Sequence, residues 1–280
     1  LALAALWWES GLGDPPIPCP AEIQVNARSR IRNFEMRSRG IVQGPTGMLT
    51  PSCNTGAVWM ALQMRQRLGS DAFVDAYRKY GFEPYSGKPP QDTVRDFWNT
   101  GSERWRKRMS PPLNRIRISE KTGRQEWAQL AIGQGPLDAT PIGISRFIQA
   151  IGNNGVMLPV TLEWERLEEL PEGKRIMQAE TARKLQVAML SVVDSGTARS
   201  ALPRLAGLNW DMGGKTGTAQ IAGRQDDGWF SALIFDPSGR PRYTVVVYLQ
   251  GGGPGGRMPA AVAAEMTRVM SGVDFRGGKR

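Results

Sequence analysis

Two short groups of residues in this 280-residue chain have the types and spacing to do chemistry: Lys215-Thr216-Gly217-Thr218 and Ser52-Cys53-Asn54. The chain contains no histidine, which excludes Ser-His-Asp and Cys-His sites and every His-containing zinc site. Any base must therefore be Lys, a carboxylate or Tyr. Lys215 follows Gly213-Gly214 and precedes Ala219-Gln220-Ile221, where a strand is expected to begin. On a strand Thr216 and Thr218 share one face and Lys215 points to the other. Gly217 leaves room for a ligand to lie against the backbone. A cation with hydroxyls on a strand edge suits a peptide carboxylate, with main-chain pairing to hold the peptide. Ser52-Cys53-Asn54 follows Met48-Leu49-Thr50-Pro51 and precedes a helical pattern. Ser and Asn are common at turns and helix starts, so this triplet says little alone. Cys53 is expected simply to pack.

Three look-alikes need separating from these groups. Gly214-Lys215-Thr216 shares part of a phosphate-binding loop, but the required upstream glycine is Asn209 and Gly217 would weaken the helix such a loop starts. Lys121-Thr122-Gly123 repeats the tripeptide inside the polar stretch Ser119 to Gln125 with no strand pattern after it, and is expected to be a surface turn. Thr181 and Lys184 place a hydroxyl and an amine three positions apart, but they open an amphipathic helix.

The elements that must position these residues are legible in outline. Val58, Ala61, Leu62 and Leu68 follow helical spacing up to Gly69, and Asp71 is placed to cap a short helix carrying Phe73, Val74 and Tyr77 that Gly81 stops. Thr140-Pro141 reads as an N-cap with Pro at the first helical position, before a stripe of Ile144, Phe147, Ile148 and Ile151 ending near Asn153-Asn154-Gly155. A further helix after Ala179 turns Leu185, Met189, Val192 and Val193 inward. Strands are expected at 216–222, 229–235 and 242–249 with short links, an antiparallel meander closed by a helix over 259–270. Leu1 to Trp8 reads as the end of a buried helix.

Composition is ordinary for a globular chain, with 40% hydrophobic and 22% charged residues. No run approaches the roughly 20 apolar residues of a membrane span. Two cysteines, Cys19 and Cys53, allow neither a disulfide scaffold nor a four-Cys metal site. The net charge of +10 favours anionic neighbours. The densest basic stretch, Arg104-Trp105-Arg106-Lys107-Arg108 followed by Arg115 and Arg117, reads as a solvated helix face rather than a nucleic-acid surface.

Gly214-Lys215-Thr216-Gly217-Thr218-Ala219 resembles the third active-site motif of penicillin-binding proteins and serine β-lactamases. Ser52-Cys53-Asn54, 163 residues before Lys215, then resembles the second. Ala131-Ile132-Gly133-Gln134-Gly135 with Thr140-Pro141, Gly196-Thr197-Ala198, Trp229-Phe230 and Leu1 to Glu9 with Gly11 extend the similarity to class B members over almost the whole chain. The resemblance implies a β-lactamase/transpeptidase-like α+β fold: an antiparallel sheet truncated from five strands and flanked by helices. It divides the chain into a mainly helical lobe over about 20–200 and a strand-rich lobe over 201–280 with a C-terminal helix.

The function so implied is a D,D-transpeptidase that is acylated by D-Ala-D-Ala stem peptides or β-lactams and cross-links peptidoglycan, without metal or cofactor. Ser52 would relay a proton, Asn54 would contact the substrate amide, and Lys215 would supply positive potential for the substrate carboxylate. Thr216, Gly217 and Thr218 would bind substrate. The family's Ser-x-x-Lys nucleophile motif is expected just before Leu1; no Ser within 1–280 has Lys three positions on. The chain is therefore expected to be an N-terminally incomplete transpeptidase domain, inactive alone. The wider expectation is an extracytoplasmic enzyme, anchored by a preceding segment, working in a cell-wall synthesis complex and binding no nucleic acid. Alternatives are a non-catalytic penicillin or peptidoglycan binder, or a β-lactamase or β-lactam sensor. Against the latter pair, Glu163 and Glu165 lie in a run that reads as solvated surface rather than as a deacylating carboxylate.

Overall fold

In a computed structural model the chain is described over residues 1–84, 114–161, 168 and 170–272. The basic stretch 104–108 and Glu163 and Glu165 lie outside them. The helices are α1 (Ala2–Glu9), α2 (Gly44–Leu49), α3 (Asn54–Lys79), α4 (Arg124–Ala131), α5 (Pro141–Gly152), α6 (Ala179–Asp194), α7 (Leu202–Leu205) and α8 (Met258–Ser271).

Three long strands, β10 (Asp211–Ala219), β11 (Asp227–Phe235) and β12 (Pro241–Leu249), form an antiparallel sheet in sequence order, as the short links require. The β11–β12 turn closes on Asp236, whose carboxylate accepts from the backbone N–H of Ser238 (2.9 Å) and Arg240 (3.1 Å). Lys215 lies opposite Ser231, Thr216 opposite Phe230 and Gly217 opposite Trp229. β10 begins at Asp211, ahead of the expected start near 216. Gly213 and Gly214 are not punctuation before the strand but close packing within it. A Cβ on Gly213 would lie 2.9 Å from the Leu190 nitrogen of α6, and one on Gly214 would lie 2.8 Å from a Phe230 ring carbon.

Val192 and Val193 of α6 join Ala260, Ala263 and Ala264 of α8 in a core around Met212, Phe230, Ala232 and Ile234 of the sheet. A larger core gathers α1, α3, α5 and the rest of α6 around Trp7, Phe73, Tyr77, Trp127, Phe147, Leu185 and Met189. Phe73 meets Trp127 edge-on at 4.7 Å, an arrangement worth about 1 kcal/mol beyond its burial. The buried face of α1, from Leu3 to Trp8, belongs to this core, as its unbroken apolar run predicts.

α5 starts as the sequence dictates: Thr140 Oγ1 accepts from the Gly143 N–H at 3.1 Å, with Pro141 first in the helix. α3 breaks at Gly69, which has φ 77°, but the chain resumes helix at once and Asp71 makes no cap. Short strands escaped the sequence pattern. β1 (Pro16–Cys19) pairs with β4 (Gly40–Gln43), and β2 (Glu22–Asn26) with β3 (Ser29–Arg32). Further along, β5 (Phe82–Pro84), β6 (Asn114–Ile116) and β7 (Leu137–Asp138) form a small sheet, and β8 (Val156–Met157) pairs with β9 (Lys174–Arg175). These ribbons are two to five residues long and depend on tertiary pairing.

Candidate functional site

A cleft of about 1440 Å³ runs between β10 and the α2–α3 corner, and its lining includes Ser52, Asn54, Lys215, Thr216, Gly217 and Thr218. All six residues singled out by type and spacing therefore face one space. The two motifs meet directly: Lys215 Nζ donates to Ser52 Oγ at 2.6 Å and to the Thr216 carbonyl at 2.8 Å.

The corner that carries Ser52 is tightly specified. The Ser52 N–H bonds the Leu49 carbonyl at 3.0 Å and the Cys53 N–H bonds that of Met48 at 2.9 Å, closing the end of α2. Ser52 itself has φ 53°, a left-handed conformation costing a non-glycine residue about 1–2 kcal/mol. Such strain persists only where the surroundings over-determine it, and it clusters at functional sites. Cys53 supplies the determination and corrects the expectation that it merely packs. Its sulfur caps α3 by accepting from the Gly56 N–H at 3.1 Å, and it is disulfide-bonded to Cys19 at the end of β1, with Cα atoms 6.2 Å apart. Asn33 braces the same corner, accepting from the Thr55 N–H at 3.1 Å and donating to the Pro20 carbonyl at 2.8 Å. Asn54 turns its amide onto the β3 strand, donating to the Arg32 carbonyl at 2.9 Å.

Burial pushes the Lys215 ammonium down from 10.5 to about 8. The group is still mainly a cation at neutral pH, yet it gives up its proton readily. Ser52 can accept from the ammonium and donate to the amine, so the pair is a proton path as well as a positive site. Next to it, the hydroxyls of Thr216 and Thr197 are 2.8 Å apart. Thr218 offers its carbonyl to Gln134 Nε2 at 3.1 Å. Behind the strand, Gly255 packs on the backbone of Gly217, so that an added Cβ would lie 2.9 Å from its nitrogen. The buried Asp227 anchors that loop: Arg224 reaches both its oxygens (2.5 and 2.7 Å), Tyr248 donates at 2.8 Å and the Gly251 N–H at 2.8 Å. These bonds, that of Arg224 foremost, hold the Asp227 carboxyl well below the usual carboxylate range.

The two look-alikes elsewhere in the chain stand apart from the cleft. Lys121-Thr122-Gly123 is a turn closed by the Thr122 N–H on the Ser119 carbonyl at 3.0 Å, and Gly123 precedes α4. Thr181 hydrogen-bonds Glu9, and Lys184 pairs with Glu180 on α6 at 3.1 Å. Arg117, counted in the basic stretch, pairs with Asp138. Among the described residues no cluster of three or more Cys, Asp and Glu could hold a metal ion. Sequence reasoning flagged the segments around Gln134 and Thr197 only through family likeness. It missed Asp227 and the Cys19–Cys53 bond, which only the fold brings together.

Residues 2–270 match the family described as the penicillin binding protein transpeptidase domain. Penicillin-binding protein PbpB of Mycolicibacterium smegmatis is 27% identical over 221 residues, which cover 73% of this chain and 31% of that protein. The probable peptidoglycan D,D-transpeptidase PenA of Neisseria meningitidis is 29% identical over 209 residues, 72% of this chain and 30% of that one. The chain thus spans about a third of the length of these relatives. Among solved structures, the ceftriaxone acyl-enzyme complex of penicillin-binding protein A from M. tuberculosis superposes with a TM-score of 0.72 at 17% identity, covering 98% of this chain and 59% of that one. The D,D-transpeptidase domain of a peptidoglycan glycosyltransferase from Eggerthella lenta gives 0.71 at 19% identity, covering 99% and 64%. With its α+β fold, its sheet of three antiparallel strands and both motifs in one cleft, this chain belongs to the penicillin-binding protein transpeptidase family.

Proposed function

We propose that the chain is the main part of the catalytic domain of a peptidoglycan D,D-transpeptidase. The observation that carries this is the 2.6 Å bond from Lys215 to Ser52, which joins two distant motifs at the head of the cleft. In this reading Lys215, Thr216 and Thr218 receive the carboxylate end of a D-Ala-D-Ala stem peptide, and the outer edge of β10 pairs with its backbone. Asn54 contacts the substrate amide. A nucleophilic serine hydroxyl attacks the penultimate carbonyl, the bond to the terminal D-Ala breaks, and Ser52 relays a proton to the departing amine. The amine of a second stem then displaces the serine. The Thr218 N–H stabilises the oxyanion.

The nucleophile and its lysine come from a Ser-x-x-Lys segment outside residues 1–280, so these residues form no acyl-enzyme by themselves. β-Lactams are ligands of the same cleft. The protein works at the extracytoplasmic face of the membrane, tethered by a segment outside these residues and assembled with other cell-wall enzymes; a disulfide-bonded site corner suits that oxidising location.

The test uses a polypeptide carrying a Ser-x-x-Lys segment ahead of residue 1. Fluorescent penicillin should label it and D-Ala-D-Ala peptides should compete. Lys215→Ala should slow labelling roughly tenfold to a hundredfold, the worth of a charge-assisted hydrogen bond. An unchanged rate contradicts the assignment.

A further inference from the structure

We infer that Gln134 is a gate on the substrate-pairing edge of β10, occupying the place an incoming peptide N–H must take. This rests on the proposed docking of an extended peptide along that edge. β10 is the end strand of its sheet, and in an antiparallel ladder the backbone groups of alternate residues point to opposite sides. Gly217, against Trp229 and beneath Gly255, turns its groups inward, so Thr216 and Thr218 present theirs to the cleft. Both outward carbonyls already have partners. Thr216 accepts from Lys215 at 2.8 Å, a neighbour on the same strand that leaves the edge approachable. Thr218 accepts at 3.1 Å from Gln134, which reaches across the cleft from the turn after α4.

That turn is built to aim one side chain. Gly133 (φ 78°) and Gly135 (φ 64°) flank Gln134 in left-handed conformations that L side chains rarely adopt. At Gly133 an added Cβ would meet nothing within 4 Å, so glycine is there for its backbone angle and not for space. The Gln134 N–H is fixed to the Gln129 carbonyl at 2.9 Å, which holds the base of the turn while the side chain stays half-buried at the cleft. A strand added to β10 must displace the Gln134 amide from Thr218. A ligand with an N–H at that register replaces the lost bond; one without it has nothing to offer the carbonyl and leaves the Gln134 bond in place. Gln134 is thus a specificity-determining residue: it selects extended peptides with a free amide N–H at one position.

The experiment titrates a D-Ala-D-Ala-terminated pentapeptide, and versions N-methylated at one amide each, into the 280-residue chain and its Gln134→Ala and Gln134→Met variants. Removing the gate should tighten the unmodified peptide roughly twofold to tenfold, the worth of one neutral hydrogen bond. Methylation at one amide of the series should abolish that gain, and the Gln134 side-chain amide resonance of the unsubstituted chain should shift with the unmodified peptide but not with that methylated one. Weaker binding by both variants, or a gain indifferent to every methylation, overturns the gate while leaving peptide docking intact. Failure of every peptide to bind any form overturns the docking itself and the gate with it.

Discussion

Lys215 Nζ and Ser52 Oγ lie 2.6 Å apart although 163 residues separate them in the chain. The contact depends on two pieces of local architecture. The meander holds Lys215 on its end strand, and the disulfide-braced corner holds Ser52 in a left-handed conformation. Burial lowers the ammonium to about 8, so it costs stability as a cation yet remains mainly charged in the cleft at neutral pH.

A pH dependence with a definite sign follows. Between about 8 and 10.5 the unfolded chain keeps the Lys215 proton that the folded chain has released, so stability rises with pH across that window. The gain is on the order of 3 kcal/mol at most, and Lys215→Met should lack it. Urea unfolding of both forms at pH 7 and pH 10 measures the difference. Affinity for a D-Ala-D-Ala carboxylate should move the opposite way, falling as pH rises through about 8. Parallel stability curves for the two forms would show that Lys215 does not titrate there.

The Cys19–Cys53 bond closes a span of 34 residues, for which chain entropy gives a stabilisation of about 4 kcal/mol. Reduction, or Cys19→Ser, should lower the urea midpoint accordingly and loosen Ser52, the next residue to the bond. In a polypeptide carrying the nucleophile motif, penicillin labelling should slow with it. Thiol titration of the native chain should find no free cysteine; two reactive thiols with unchanged stability would contradict the role.

Asp227→Asn should destabilise the chain at neutral pH, because Arg224 and Tyr248 lose the carboxylate they share. The native carboxyl is held low, so its contribution is complete above the unfolded value near 4 and is lost as pH falls. The stability difference between the two chains should therefore shrink on acidification from pH 6 to pH 3. A difference that stays constant would remove Asp227 as the anchor of the 251–256 loop.

Gly255→Ala forces a Cβ against the backbone of Gly217 and Trp229, where no flexible side chain can give way. Overpacking of this kind costs about 1–3 kcal/mol. The displaced loop should also weaken peptide binding at β10, which titration of a D-Ala-D-Ala peptide would register. An unchanged affinity would mean that the loop does not set the geometry of the strand.

How much of this could be read from the sequence varies with how local the cause is. Thr140-Pro141 announces α5 because a cap and a fixed φ act within one turn. The β-branched run of β12 and the Asp236 turn announce the meander in the same way. Lys215 to Thr218 and Ser52 to Asn54 were legible through their resemblance to a family with two motifs in that order. The start of β10 was misplaced because glycine usually marks a break, whereas Gly213 and Gly214 are demanded by α6 and Phe230 across the sheet. Gln134 on Thr218, Arg224 on Asp227 from a loop into a strand, and Cys19 beneath the start of α3 are tertiary meetings. Nothing in the neighbouring residues encodes them. The short ribbons of the first half share that cause: each is stabilised by its partner rather than by its own propensity.

Residues 1–280 are proposed to hold the walls of a transpeptidase cleft and not its nucleophile. Native mass spectrometry of this chain with penicillin, followed by the same measurement after denaturation, tests it most directly. The expected result is a saturable one-to-one complex that Lys215→Ala weakens and that vanishes on denaturation, leaving the unmodified mass. A penicilloyl increment that survives denaturation and maps to a residue within 1–280 would contradict it.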